Sequence, residues 1–398
     1  MMIAPLKSGT PAIVKATIPA LEAHGVTITK TMYGSLMRDP SIAAMFNQTD
    51  QANGRQPHAL AAAVLAYARH IEHPEKLEAA LRLIIERHVA VMVKPEQYPV
   101  VGEALLGAIK TVLGDAATPE ILDAWADAYR FLAEVLIARE AETYEERAAL
   151  PGGWRDWRAF RVASRFEEND RITSFWLVPV DGKPVLRHEP GQFLTFRLER
   201  DGLSTRRSYS ISSAPDSGGY RISVKHDPKG KVSSWFHAFV KEGDVLDVAP
   251  PAGDFTLARS GSSPVVLVSA GVGITPFMSM ILAALDGCKS PPMRLIHGDH
   301  DFGRMPFRAA FIDAASRPET CRIDLFSSTG EGNSLPVPGH QGRISAQWVF
   351  DHMEPDAHVF LCGPRSFQRD LIGGLRQLGI PSAHLHHEFF GSDEPLPA

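Results

Sequence analysis

Cysteine is scarce in this chain. Cys288, Cys321 and Cys362 are the only three in 398 residues, an odd number set far apart. That excludes a disulfide framework and the paired spacing of a metal knuckle, and it predicts a reducing compartment. An excess of charge of one sign is missing too. With 41 basic against 46 acidic residues and a formal net charge of −5, nothing predicts nucleic acid or an anionic membrane surface as a partner. Long apolar runs are absent as well. The longest, Ala59 to Ala68, carries a tyrosine and falls well short of the roughly 20 residues that span a bilayer, so no integral membrane segment is expected. Met1 to Thr10 holds one lysine and no apolar core, so no signal peptide is expected and the predicted location is cytoplasmic.

What is present is ordinary for a globular protein, 44% apolar and 22% charged, at a length that predicts two or three domains. Residues 1–146 read as helix throughout: apolar spacings of three and four recur in 12–24, 26–38, 57–71, 75–94, 97–113 and 119–146. The last helix starts on Thr118 as cap, with Pro119 and Glu120 in its first turn. Leu150-Pro151-Gly152-Gly153 breaks it, making 147–156 a linker. From 157 to 258 the pattern changes to short β segments at 160–164, 173–179, 193–198, 208–211, 220–225 and 245–248, which predicts a small antiparallel barrel. From 259 to 398 buried strands alternate with helices. The strands, at 265–269, 293–297, 322–327, 359–362 and 384–389, predict a mostly parallel sheet covered on both faces. A Gly/Pro/Ser-rich loop is expected at 328–342.

Within the helical domain, His88 follows Leu81, Ile84 and Ile85 on an apolar helix face, and Glu140 follows Leu132 and Leu136 on another. A carboxylate on an apolar stripe is costly unless paired. His88 is open to two readings, a core histidine satisfied by a backbone carbonyl or an iron ligand. In the second case its other N–H needs an acceptor, which Glu140 can supply with Tyr98 bracing the pair.

The later domains carry three further motifs. Arg207-Ser208-Tyr209-Ser210 offers a cation for a phosphate, a ring to stack on a planar cofactor and a hydroxyl for a ring nitrogen. Gly271-Val272-Gly273-Ile274-Thr275-Pro276 follows a buried strand and opens a helix, where backbone can approach a dinucleotide pyrophosphate. Cys362-Gly363-Pro364 sits at the carboxyl end of a later strand, the edge where ligands bind in open α/β sheets. Each alone can be a tight turn; their order on a barrel followed by a sheet is specific. Residues 157–398 resemble the ferredoxin–NADP reductase superfamily. The resemblance implies that Arg207, Ser208, Tyr209 and Ser210 hold FAD, helped by His188, by Gln192 of the Pro190-Gly191-Gln192 turn, and by Ser233 near the pyrophosphate. It also implies that 271–276 and Cys362-Gly363 frame the nicotinamide. Glu388-Phe389-Phe390-Gly391-Ser392 would close over the flavin.

A helical domain of this size joined to such a reductase resembles the flavohaemoglobins over essentially the whole chain. On that resemblance His88 is the proximal ligand of haem b, Phe46 and Leu60 line the haem pocket, and Tyr33 and Gln56 act on the distal side. Tyr98 and Glu140 form the proximal pair. Met32 stands where an aromatic usually precedes the distal tyrosine, and an alignment without a gap would put Met32 in the distal position. Arg87 replaces a common lysine and Ile274 a common glutamine; Arg87 and Glu388 are expected to tune the redox groups. The implied activity is nitric oxide dioxygenation, with NADH or NADPH passing electrons through FAD to the haem, where O2 and NO become nitrate. Phe326-Ser327-Ser328 lacks an adjacent arginine, which favours NADH. A monomer is expected, and a lipid in the distal pocket goes with the resemblance. Two other readings stay open, an oxygen-storing or sensing globin with an attached reductase, and a general flavin reductase of ferric iron, quinones or peroxides.

Overall fold

The computed structural model describes residues 3–45, 55–200, 203–329 and 334–390. Phe46, Gly391 and Ser392 lie outside these residues.

The N-terminal part is helical: α1 (Thr10–Ala16), α2 (Ile18–Leu36), α3 (Pro40–Ala43), α4 (Arg55–His70), α5 (Glu78–Ala90), α6 (Gln97–Leu113) and α7 (Pro119–Ala149). The first break falls at Thr17, not near residue 25 as the periodicity predicts. Pro19 is compatible only with a helix's first turn, so the chain restarts there. Gly25 stays inside α2, which lets it approach α4: a Cβ there would lie 3.6 Å from the Ala61 Cβ. The helix α3 is too short to show a period. Trp125, Ile28, Ile109 and Leu136 are buried in one apolar core. Polar ties cross it, among them Trp125 Nε1 to Thr17 Oγ1 (3.2 Å) and Thr10 Oγ1 to Asp127 (2.8 Å). Thr118 caps α7 by accepting from the Ile121 N–H, as expected. That helix runs on to Ala149, three residues into the predicted linker. The linker's far end belongs to the next domain, since Trp154 is buried there and donates to the Val248 carbonyl at 3.2 Å.

The second part is an antiparallel six-stranded sheet in the order β4-β3-β6-β1-β2-β5. Its strands are β1 (Arg158–Glu167), β2 (Ile172–Pro179), β3 (Phe193–Arg200), β4 (Leu203–Ser210), β5 (Tyr220–Lys225) and β6 (Val245–Val248). Phe160, Phe175, Phe196 and Tyr220 fill its interior without exposure. Helix α8 (Lys231–Phe239), which carries Ser233 and which the β pattern of 157–258 does not predict, inserts Trp235 and Phe236 into this core.

The third part is a parallel six-stranded sheet in the order β10-β9-β8-β7-β11-β12. Its strands are β7 (Val265–Ala270), β8 (Met293–Asp299), β9 (Cys321–Ser327), β10 (Gly339–Gln341), β11 (His358–Cys362) and β12 (Leu385–Glu388). Helices α9 (Thr275–Leu285), α10 (Arg308–Ala315), α11 (Ala346–Asp351) and α12 (Arg365–Gln377) connect them. Two apolar clusters cover the two faces of this sheet, as the near-continuous apolar strands require. Strand β10 lies inside the predicted loop, too short and polar to read locally. The two sheets meet along a polar seam. Glu168 accepts from the Phe307 N–H (3.0 Å), and the Arg221 guanidinium lies 5.0 Å from the Phe307 ring centre.

Candidate active site

His88, Tyr98 and Glu140 come together from three helices. The His88 Nδ1 lies 2.7 Å from Glu140 Oε1 and 3.0 Å from the Tyr98 hydroxyl oxygen, and the Tyr98 hydroxyl donates to Glu140 at 2.5 Å. Glu140 is only 2% exposed, so its lone pairs need these donors. Burial, then the neighbouring Glu140 charge, pushes the Tyr98 phenol up, so it stays a donor. The proton therefore sits on Nδ1, which leaves the Nε2 lone pair bare; Nε2 makes no hydrogen bond among the described residues. A ring one-third exposed, oriented by a carboxylate and presenting a second ring nitrogen, would suit an iron ligand. Of the two earlier readings of His88, the backbone-satisfied core histidine does not match this arrangement.

Two tyrosines that the sequence reading missed complete the support. Tyr129 donates to the Tyr98 carbonyl at 2.6 Å, and Tyr144 to the Val93 carbonyl at 3.0 Å. Across the core, Tyr33 and Met32 are both buried on α2, at 9% and 3% exposure. Burial pushes the Tyr33 phenol up to about 12, so its hydroxyl keeps its proton. One turn before Tyr33, Thr29 donates to the Pro57 carbonyl at 2.8 Å. That tie sets the start of α4, with half-buried Gln56 and Leu60, beside the Tyr33 helix.

The flavin motif lies on β4. Tyr209 packs edge-on against Phe236, ring centres 5.2 Å apart, and burial raises its pKa. The Arg207 guanidinium makes no hydrogen bond or ion pair among the described residues, and Ser210 is buried. Ser208 bonds across to Thr195 at 2.9 Å. A free cation, an anchored ring and a nearby hydroxyl fit a flavin nucleotide. The Gln192 side chain accepts from the Glu189 N–H (2.9 Å) and donates to the Gly253 carbonyl (3.3 Å). Ser233 turns back onto Asp227 and Gly230 in the first turn of α8. His188 is 1% exposed, with Nε2 on Ser279 Oγ at 2.9 Å; it ties the segment between β2 and β3 to helix α9 of the next domain.

The nicotinamide motifs touch each other. Gly271 has φ +55°, and a Cβ on Gly273 would stand 2.3 Å from the Cys362 carbonyl oxygen. Thr275 donates to the Val272 carbonyl at 3.0 Å, Pro276 occupies the first turn of α9, and Ile274 is buried. Cys362 is fully buried and its thiol is pushed up, first by burial and then by Glu388. Glu388 pairs with Cys362 between β11 and β12. One Glu388 carboxyl oxygen is buried without a partner among the described residues, and its pKa is raised to about 8 by burial and by Asp254, against the pull of Arg259 and Arg87. Arg87 from the helical domain thus acts on the last strand of the parallel sheet. Phe389 is buried under the Arg365 guanidinium (4.8 Å to the ring centre), and Phe390 is 47% exposed. Gln368, also missed earlier, donates to the Gly363 (2.8 Å) and Glu388 (2.9 Å) carbonyls. Its signal was an amide in phase with buried Leu371, Ile372 and Leu375.

Three family patterns match in this order: Globin over residues 29–136, Oxidoreductase FAD-binding domain over 162–257, and Oxidoreductase NAD-binding domain over 267–371. The flavohemoprotein of Pseudomonas aeruginosa is 41% identical over 397 residues, covering 99% of this chain and 100% of that one. The chain belongs to the flavohemoprotein family. The flavohemoprotein of Deinococcus radiodurans is 43% identical over 96% of both chains. Among solved structures, the Malassezia yamatoensis flavohemoglobin, with bound FAD and heme, matches with a TM-score of 0.84 at 26% identity, over 98% of this chain and 100% of that one. The FAD/NAD-binding domain of a Vibrio cholerae nitric oxide dioxygenase matches with a TM-score of 0.53 at 31% identity, over 60% of this chain and 100% of that one. The chain is therefore an oxidoreductase with a globin, an FAD-binding and an NAD-binding domain. Among the described residues, no helix is long and apolar enough to cross a membrane.

Proposed function

We propose that this flavohemoprotein is a nitric oxide dioxygenase that uses NADH: two NO, two O2 and one NADH give two nitrate, NAD+ and one proton. A nicotinamide at 271–276 would supply a hydride, a flavin at Arg207, Tyr209 and Ser210 would convert two-electron into one-electron chemistry, and a haem on His88 would supply one-electron redox chemistry at iron. The observation that carries the reading is the His88 Nδ1–H shared between Glu140 and Tyr98. That hydrogen bond raises the basicity of the bare Nε2 and pushes electron density to its ligand, which favours oxygen activation over reversible carriage. Tyr98 and Tyr129 keep Glu140 and the His88 ring from turning. On the distal side, Tyr33 stays protonated at any physiological pH and, with Gln56, offers donors to a polar diatomic ligand. Arg207, Tyr209 and Ser210 would hold the flavin, while Gly271 and Gly273 admit the dinucleotide backbone against Cys362-Gly363.

The test is aerobic NO consumption by haem- and FAD-loaded protein with NADH, scored as nitrate formed and NADH oxidised. Two nitrates per NADH are expected. NADH oxidation without nitrate would refute the reading and favour a general flavin reductase.

A further inference from the structure

Strand alternation sends Arg206 and Arg207 to opposite faces of β4. Arg207 belongs to the flavin motif, whereas Arg206 reaches out of the barrel into the globin domain. Its backbone N–H donates to the Ala44 carbonyl at 2.9 Å. Its guanidinium donates to the Val91 carbonyl and, at 3.4 Å, to the Met92 carbonyl. Trp157 stacks against it, with Arg206 and Arg197 at 5.5 and 5.2 Å from the same ring centre.

Val91 and Met92 end the helix that carries His88. Val93 N–H donates to the His88 carbonyl (3.0 Å) and Met92 N–H to the Val89 carbonyl (3.1 Å), the paired bonds of a left-handed helix stop. Met92 holds the left-handed position at φ +57°, where glycine would be favoured. The stop is thus intrinsically strained, its carbonyls are the negative end of the helix dipole, and the His88 carbonyl is one of its members. A half-buried guanidinium beside Arg197 is in turn costly unless matched. Each group offsets the other's deficit across the domain boundary.

We propose that Arg206 is a positioning residue through which the FAD domain fixes the C-terminus of the His88 helix, and with it the placement of His88 for electron delivery from the flavin. This rests on the dioxygenase reading, in which electrons pass from flavin to haem. Arg206 lies on the face of β4 opposite Arg207 and bonds to the His88 helix end, so flavin reduction and haem reduction should separate in its variants.

The test uses full-length protein, wild type against Arg206→Met and Arg206→Lys. Hydrogen exchange reads the Met92 and Val93 amides, ferricyanide reduction by NADH reads the flavin half, and anaerobic haem reduction by NADH under carbon monoxide reads the second transfer. Losing a charge-assisted bond to these carbonyls predicts about tenfold faster exchange at Val93 and about tenfold slower haem reduction in Arg206→Met. Ferricyanide reduction should stay within about twofold of wild type, and Arg206→Lys should recover part of both losses. Wild-type exchange and haem reduction in Arg206→Met would overturn the proposal. So would parallel loss of ferricyanide reduction and bound FAD, which would make Arg206 a barrel-folding residue. If the wild-type flavin reduces ferricyanide but never the haem, the dioxygenase reading fails instead, while exchange at Val93 still decides whether Arg206 anchors the helix.

Discussion

Replacing Gly273 with alanine tests whether the two nicotinamide motifs form one surface. Gly273 has no left-handed φ, so alanine can adopt its backbone; only space forbids it. The added Cβ would stand 2.3 Å from the Cys362 carbonyl oxygen, 2.5 Å from its carbon and 2.6 Å from the Gly363 nitrogen. All three are backbone atoms, so no side-chain rotation relieves the contact. Ordinary contact begins near 3.4 Å, so the turn after β7 and the end of β11 must part by about 1 Å. Overpacking of this kind costs about 1–3 kcal/mol of stability. A shift of about 1 Å in a group that positions a reactant costs up to about 100-fold in rate. Anaerobic stopped-flow reduction of the flavin by NADH should therefore slow by about 10–100-fold in Gly273→Ala. The Soret spectrum should be unchanged, because Ile274 of this turn and the globin core belong to separate apolar clusters. Gly107→Ala is the control. Among the described residues nothing lies within 4 Å of a Cβ at this exposed position of α6, and the variant should gain about 0.5–1 kcal/mol without altering flavin reduction. Wild-type flavin reduction in Gly273→Ala would refute the reasoning.

Other perturbations separate the halves of the molecule. Glu140→Gln keeps an acceptor for His88 but removes its charge, so NO turnover should fall about 10–100-fold with haem retained and NADH–ferricyanide reduction unchanged; a wild-type turnover number would show that the proximal carboxylate is dispensable. His88→Ala should abolish NO turnover and leave ferricyanide reduction intact, and the loss of both activities would contradict the separation. Burial lowers the His188 pKa from 6.5 to about 4, so between these values the unfolded chain binds a proton that the folded one does not. The stability this group contributes is complete above about 6.5 and falls with pH, by about 2 kcal/mol at pH 5. In urea unfolding followed by flavin release, His188→Gln should lose about 2 kcal/mol less than wild type between pH 7.5 and 5. An equal loss in the two proteins would show that His188 is not the group responsible.

Much of this was legible because it is local. Period-four spacing put His88 and Glu140 on inward faces, and the apolar strands of the parallel sheet announced their burial on both sides. The misses have a common cause. Strand β10 and helix α8 exist because a neighbour covers them: β10 pairs with β9, and α8 buries Trp235 and Phe236 in a core built by strands elsewhere. The Gln192 motif reads as a turn, and the bonds its amide makes with the Glu189 N–H and the Gly253 carbonyl are equally invisible locally, since Gly253 comes from a segment 61 residues on.

The hardest features to read join domains. The Glu388 carboxyl owes its raised pKa to burial and to Asp254, and feels Arg259 and Arg87 from other parts of the chain. Arg206 reaches a helix end more than a hundred residues earlier. Periodicity tells which side of an element is apolar; it does not tell which domain that side will meet. Charged residues beside a cofactor motif therefore carry information that a sequence window cannot resolve. Arg207 is the one a motif assigns, and its neighbour Arg206 gains meaning only from the Val91 and Met92 carbonyls opposite. If Arg206→Met slows only haem reduction, the adjacent pair will have divided its labour by strand parity alone, one guanidinium for the flavin and one for the helix that holds His88.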